Sequence, residues 1–199
     1  MLLKTASLAG MTGPVLFGAT LLVLTLAEYD FMRSLGWHPL YAVTTDWPSG
    51  LSLGPYGGWM IAAFILAGLL LILFAVGLWQ LFPKSLGPAL LLVSGIAVVA
   101  LSSLTDPTFR STPATLHGQI HDAAYLLLGL SLFPGLFAMA RAFGRLPDWH
   151  IHAWLTWGVL VLVIPTFIIK GITFYIFLLA VLCWYQLTAA RIWRQIHSK

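Results

Sequence analysis

The chain has 199 residues, of which 60% are hydrophobic, and its ten Lys or Arg and six Asp or Glu leave a net charge of +4. Soluble domains carry about 25% charged residues, so a chain with only 8% and a mean hydropathy of +0.93 cannot clothe a core in water and reads as an integral membrane protein. Its basic residues are scattered in ones and twos, which excludes the clustered patch of a nucleic-acid binder.

In chain order, residues 8–27 form the first apolar span, preceded by Lys4. The run is long for a signal peptide and lacks a small-residue cleavage pattern before Glu28, so it reads as a retained helix. Residues 30–57 form an outer cap containing Trp37, His38, Pro39, Tyr41, Trp47 and Tyr56. Loops of this length are commonly lids or binding elements, and a lid over an outer pocket and a headgroup anchor are both open readings. The second span, 58–81, is bounded by Pro55 and Pro83. The third, 86–104, stops before Asp106-Pro107, because a residue preceding proline avoids helical geometry. The fourth, 113–140, is predicted to start at Pro113 with Thr112 as N-cap, and Pro134 is expected to kink it. The fifth, 153–169, holds Pro165, and Lys170-Gly171 turns it tightly into the sixth, 172–190, where Cys183 reads as core packing.

These elements predict an all-α, polytopic bundle of six transmembrane helices, a single membrane domain over residues 1–199. With the N-terminus inside, Lys4, Lys84, Arg141, Arg145, Arg191, Arg194 and Lys199 are cytoplasmic against Arg33, Arg110 and Lys170 outside. That excess favours both termini in the cytoplasm. Trp149 and Trp193 fit an inner interfacial belt, and Trp37, Trp47 and Trp59 an outer one. Glu28, Asp30, Asp46, Asp106 and Asp122 then gather at the outer face and Asp148 alone lies inside.

The outer acids surround a polar stretch that includes His117 and His121. Four residues apart on one helix, the two imidazoles share a face, roughly 6 and 12 Å from the expected helix start at a rise of about 1.5 Å per residue. The spacing suits one metal ion, and zinc takes neutral His and carboxylate ligands. His117, His121 and Asp106 are therefore candidate metal ligands. Asp122, about 100° round the helix, is expected to point away from the pair, into an outer shell or toward Glu28 or Tyr29. Tyr125 continues the histidine face, and Asp46 and His38 reach the site from the cap. The same residues suit a structural polar network or proton handling, since ionisable groups inside membranes are costly. His150 and His152 are two apart and at the wrong depth to pair with His117 or His121, which argues against a transmembrane haem. Ser102 and Ser103 lie close to the cluster, but no nucleophile elbow accompanies them.

The motifs Gly57-Gly58-Trp59, Phe74-Ala75-Val76-Gly77-Leu78, Thr105-Asp106-Pro107 and Thr115-x-His117-Gly118-x-x-His121-Asp122 resemble the bacterial and archaeal membrane-protein family catalogued as Domain of Unknown Function 998. The resemblance runs from the first helix through the fifth and implies six helices and a cell-membrane location, with no activity attached. The family often has an Ile-Ser-Glu-Leu-Gly-like motif before the second span. Here the chain reads Thr45-Asp46-Trp47-Pro48-Ser49-Gly50, so Asp46 is the substitute for that glutamate if it serves a site.

Two functional readings follow. One is a non-enzymatic accessory, lipid-binding or sensing component, whose partners are membrane lipids and other membrane subunits and whose helices pack through Gly68, Gly77, Gly87 and Gly95. The other is a zinc-dependent hydrolase of a lipid ester or amide at the outer leaflet, with metal-bound water as nucleophile. Its site composition is similar to that of membrane-embedded lipid amidases of the alkaline ceramidase type.

Overall fold

The computed structural model describes residues 1–36, 48–105, 115–168 and 172–198. Among the described residues all regular structure is helical. The helices are α1 (Leu2–Ala27), α2 (Tyr29–Ser34), α3 (Gly57–Leu81), α4 (Gly87–Ala100), α5 (Leu116–Gly144), α6 (His150–Ile168) and α7 (Ile172–His197). Short 3-10 segments lie at Pro48–Leu53, Leu101–Ser103 and Pro147–Trp149. By length and composition α1, α3, α5 and residues Thr173–His197 of α7 can each cross a membrane, and α4 with its 3-10 extension is a shorter apolar helix.

α1, α3, α4, α5, α6 and α7 close a ring in chain order, each antiparallel to its neighbours. Phe17 of α1 packs edge-on against Phe64 of α3, with ring centroids 5.2 Å apart, while at the far end Ala6 abuts Gly77. Gly68 of α3 meets Gly95 of α4 backbone to backbone, and the buried Ser94 and Ser131 hydroxyls join α4 to α5 at 3.0 Å. Phe137 and Trp157 join α5 to α6 at 5.4 Å. Trp184 Nε1 of α7 donates to Thr156 Oγ1 of α6 at 2.7 Å. The ring closes where Gly10 of α1 meets Ala189 of α7.

Lipid gives helices no hydrophobic reason to associate, so close approach through small residues takes that role. At Gly68 an added Cβ would lie 2.7 Å from the Gly95 carbonyl oxygen and 2.8 Å from the Val99 nitrogen. The outward surface is hydrocarbon: Leu22, Leu69, Leu130, Trp154 and Leu179 are each more than half exposed. A protein in water rarely presents so much contiguous apolar surface.

Several boundaries differ from the sequence expectation. α1 begins at Leu2 and α7 runs on to His197, so charged and polar residues at the bundle end continue the helices rather than ending them. α5 starts at Leu116: Thr115 is extended (φ −69°, ψ 155°) and its Oγ1 accepts from the Gly118 N–H at 3.2 Å. Thr115 is thus the N-cap, and α5 runs unbroken through Pro134. Trp149 is not an interfacial belt residue. It is 5% exposed and stacks on Phe143 at 4.8 Å, with Phe82 edge-on at 5.2 Å, closing one end of the core. Cys183 is exposed because the inward face of α7 is made by Val181, Trp184, Tyr185 and Thr188, leaving Cys183 on the outward side. Thr112, Pro113 and the Lys170-Gly171 turn lie outside the described residues.

Candidate functional site

Between the helices of the ring lies a cavity of about 540 Å³ that opens to the surface. On α5 its lining runs from His121 to Leu132 and on α7 from Phe174 to Tyr185, a depth of roughly 17 Å at about 1.5 Å per residue. The walls are Phe17, Phe64, Leu71, Phe74, Leu128 and Leu178 together with Gly10 and Gly13, and polar groups are confined to its ends. His121, Asp122 and Tyr125 stand at the end nearer the cap, where Pro48 and Ser49 also reach the cavity. Tyr185, 6% exposed, lines the other, and its hydroxyl has no partner.

Because α5 begins at Leu116, His121 is about 8 Å along the helix rather than the 12 Å expected. It is 9% exposed. Its Nδ1 lies 3.5 Å from Asp122 Oδ1, so Asp122 does not point away from it. Adjacent side chains on a helix meet when both lean toward the same opening, and these two line the same cavity. The Asp122 side chain remains 78% exposed, which puts the pair where the cavity reaches the surface. A carboxylate only accepts hydrogen bonds, so it favours the tautomer with the proton on Nδ1. His121 Nε2 then presents a basic lone pair, and it is buried with no partner.

His117 is placed differently. It is exposed, and its Nδ1 sits 3.2 Å from the Ser103 carbonyl and 3.1 Å from Thr105 Oγ1. Ser103 Oγ in turn donates to the His117 carbonyl at 3.4 Å. The ring therefore ties the start of α5 to the end of α4, and it is absent from the cavity lining. Of the proposed ligands and lid residues, Asp106, Asp46 and His38 lie outside the described residues. Among the described residues no group of three or more His, Cys, Asp or Glu is placed to hold a metal ion.

Two residues named from the sequence prove to be buried, which the sequence reading did not foresee. Glu28, 2% exposed, does not turn to Asp122. Its Oε1 accepts from the Tyr56 N–H at 2.6 Å, its Oε2 has no partner, and a Cβ at Gly54 would strike its carboxylate. Burial pushes its carboxyl above the usual range, and the Tyr56 N–H pulls back against that rise. The acid thus fastens the 54–56 segment to the end of α1. A lone Glu closing an apolar span was the available signal. The other is His152, 9% exposed, whereas His150 faces outward; the spacing of two separates them round the helix.

Comparison with curated proteins and with solved structures gives no match. A family model does match: the one described as a protein of unknown function, DUF998, covers residues 33–191. These residues take in the cap, α3 through α6 and most of α7, with the whole polar stretch around His117 and His121, and the chain belongs to the DUF998 family.

Proposed function

We propose that this is a six-span membrane protein with both termini in the cytoplasm, and that it binds one neutral amphiphile whose hydrocarbon occupies the cavity. Seven basic residues against three, counted between alternate connections, support the orientation through the positive-inside rule. The observation that carries the ligand is the cavity's polarity: carbon walls leading to one buried, unpartnered nitrogen at His121. A pocket lined this way takes a ligand by its apolar body and orients it by a few polar groups. With Nδ1 turned to Asp122, Nε2 calls for a donor, so the head carries a hydroxyl or an amide N–H. Ser49 and Tyr125 line the same end, and the Pro48–Leu53 segment covers it as part of the cap.

The test is the lipid that copurifies with the full chain in mild detergent, identified by mass spectrometry. Wild type should carry a hydroxyl- or amide-bearing lipid. Leu128→Trp, which puts an indole into the cavity at mid-depth, should lower it sharply. His121→Leu should lower its occupancy about fivefold, the worth of one hydrogen bond. Equal lipid content in wild type and Leu128→Trp would refute cavity binding. An impermeant reagent reaching a tag at Lys199 from outside would refute the orientation.

A second reading rests on the same nitrogen. His121 Nε2 is also what a zinc ligand would offer, and His117, with its Nδ1 turned to the Ser103 carbonyl, keeps Nε2 as its basic atom. Asp106 is the third ligand of this reading, and the bound metal would activate water for hydrolysis of a lipid ester or amide. Stoichiometric zinc in the purified protein, lost in both His117→Ala and His121→Ala, would favour it over passive binding. Metal-free, stable wild type would dismiss it.

A further inference from the structure

At the opposite end of the ring from His121, the start of α6 and the last turns of α7 leave a groove of about 340 Å³. Arg191, Arg194 and His152 line it beside the apolar Ile151, Leu155 and Leu187. Arg191 is held in place: its Nη2 donates to the Asp148 main-chain oxygen and its guanidinium lies over Trp149, 4.8 Å from the ring centroid. Its Nε is buried with no partner. His152, nine-tenths buried, turns Nε2 to the Leu187 carbonyl at 3.4 Å, and its Nδ1 is buried and unpartnered. Among the described residues the sole ion pair is His121 with Asp122, so neither arginine is neutralised by a carboxylate there.

Arg191 held in place, Arg194 exposed beside it and one buried acceptor describe a site for an oxyanion that also carries a hydroxyl. The apolar rim decides what the anion is attached to. Ile151 is 73% exposed, Leu187 48% and Leu155 40%, and they continue from the groove onto the hydrocarbon surface of the helices. A soluble anion would leave that rim uncovered, whereas acyl chains would cover it. Basic pockets between spanning helices are suited to anionic lipid heads, and arginine forks match phosphate oxygens.

We propose that this groove binds the headgroup phosphate of an anionic phospholipid on Arg191 and Arg194, with a head hydroxyl on His152 and the chains over Ile151, Leu155 and Leu187. The site is separate from the cavity at His121. The full chain, delipidated in mild detergent, is titrated with phosphatidylglycerol, phosphatidylcholine or sodium phosphate and read by native mass spectrometry. Wild type should retain one phosphatidylglycerol in preference to phosphatidylcholine, and His121→Leu should leave that adduct intact. Arg194→Gln, at an exposed position with no partner to disturb, should weaken retention about fivefold, the surface value of one arginine, with an unchanged melting temperature. Arg194→Lys should keep most of it. Arg191→Gln should weaken binding at least as much, and its melting temperature separates loss of the lipid from loss of the Asp148 and Trp149 interactions. Wild-type retention in Arg194→Gln, or equal retention of the two lipids, overturns the proposal. Displacement of the adduct by inorganic phosphate at the lipid's own half-saturating concentration assigns the groove to a soluble anion and overturns the lipid.

Discussion

Glu28 is the most direct place to probe how the segment before α3 is held to the end of α1. At high pH the folded protein keeps a carboxylate that is 2% exposed, with Oε1 bonded to the Tyr56 N–H at 2.6 Å and Oε2 unpartnered. Burial raises its folded-state pKa above the ordinary glutamate value, which is about 4.3 in the unfolded chain. The neutral form is thus the one the fold prefers. Its contribution to stability is complete below about pH 4.3 and is lost as pH rises through the higher folded-state value. Glu28→Gln retains an acceptor for Tyr56 and removes the desolvated charge, but its amide nitrogen inherits the unpartnered position of Oε2. The gain at pH 8 is therefore about 1 kcal/mol, below the roughly 1–3 kcal/mol of a fully relieved unsatisfied group. Glu28→Ala loses the acceptor and leaves a void beside Gly54. It should cost about 2 kcal/mol, at the modest end because Tyr56 is 55% exposed and water can reach its N–H. Thermal unfolding of purified protein in detergent, from pH 4 to pH 8, reads both effects. Wild type should lose stability relative to Glu28→Gln as pH rises. A Gln variant less stable than wild type at pH 8, or parallel pH profiles, would refute the view that Glu28 is a desolvated clamp.

Two further outcomes test the ring itself. Gly68→Ala forces a methyl against the backbone of α4, 2.7 Å from the Gly95 oxygen, and should cost about 1–3 kcal/mol of overpacking; Gly58→Ala, where nothing lies within 4 Å, should be near neutral, and equal melting temperatures for the two would remove glycine contact as the basis of α3–α4 packing. Ser94 and Ser131 hold each other at 3.0 Å, while Ser94 also lies within bonding distance of one carbonyl a turn back and Ser131 of two, so two protons serve four contacts. A double-mutant cycle to alanine should give a coupling of about 0.6 kcal/mol, the usual worth of a bond between membrane helices, and zero coupling would show that the own-turn bonds take both protons.

Much of the fold is legible because lipid simplifies the sequence code. Apolar runs bounded by proline mark the helices, and Gly68, Gly77, Gly87 and Gly95 were read as close contacts; each proves to face a neighbouring helix. Failures come where a residue's meaning depends on its partner. Trp149 has the position of a belt tryptophan, yet Phe82 and Phe143 offer it a stack. Asp122 lies 100° from His121 on an ideal wheel, but both side chains lean toward one opening. Thr112-Pro113 is the start that composition gives for α5, and the extended backbone of Thr115 with its contact to Gly118 moves it to Leu116. The candidate site was legible as a place, through the crowding of His117, His121 and Asp122. Its division was not: His117 belongs to the α4–α5 corner and His121 to the cavity, because each imidazole follows its own hydrogen-bond partner.

The same small residues that tighten the ring also hollow it. Gly10 is crossed so closely that a Cβ would lie 2.5 Å from Phe74 Cδ2 and 2.8 Å from the Ala189 methyl. It lines the cavity too, as do Ala9 and Gly13, and none of the three sends a side chain across the axis. Helices drawn together at their flanks through glycine therefore leave carbon walls that do not meet in the middle. An unfilled volume in a protein core costs about 24 cal/mol per Å³. Wall atoms facing a void forgo their dispersion attraction, and any hydrocarbon that enters restores it, whereas water cannot do so against carbon. A cavity lined this way favours hydrocarbon over water as its content, and the proposed ligand turns on whether the buried nitrogen of His121 at its mouth selects the amphiphile.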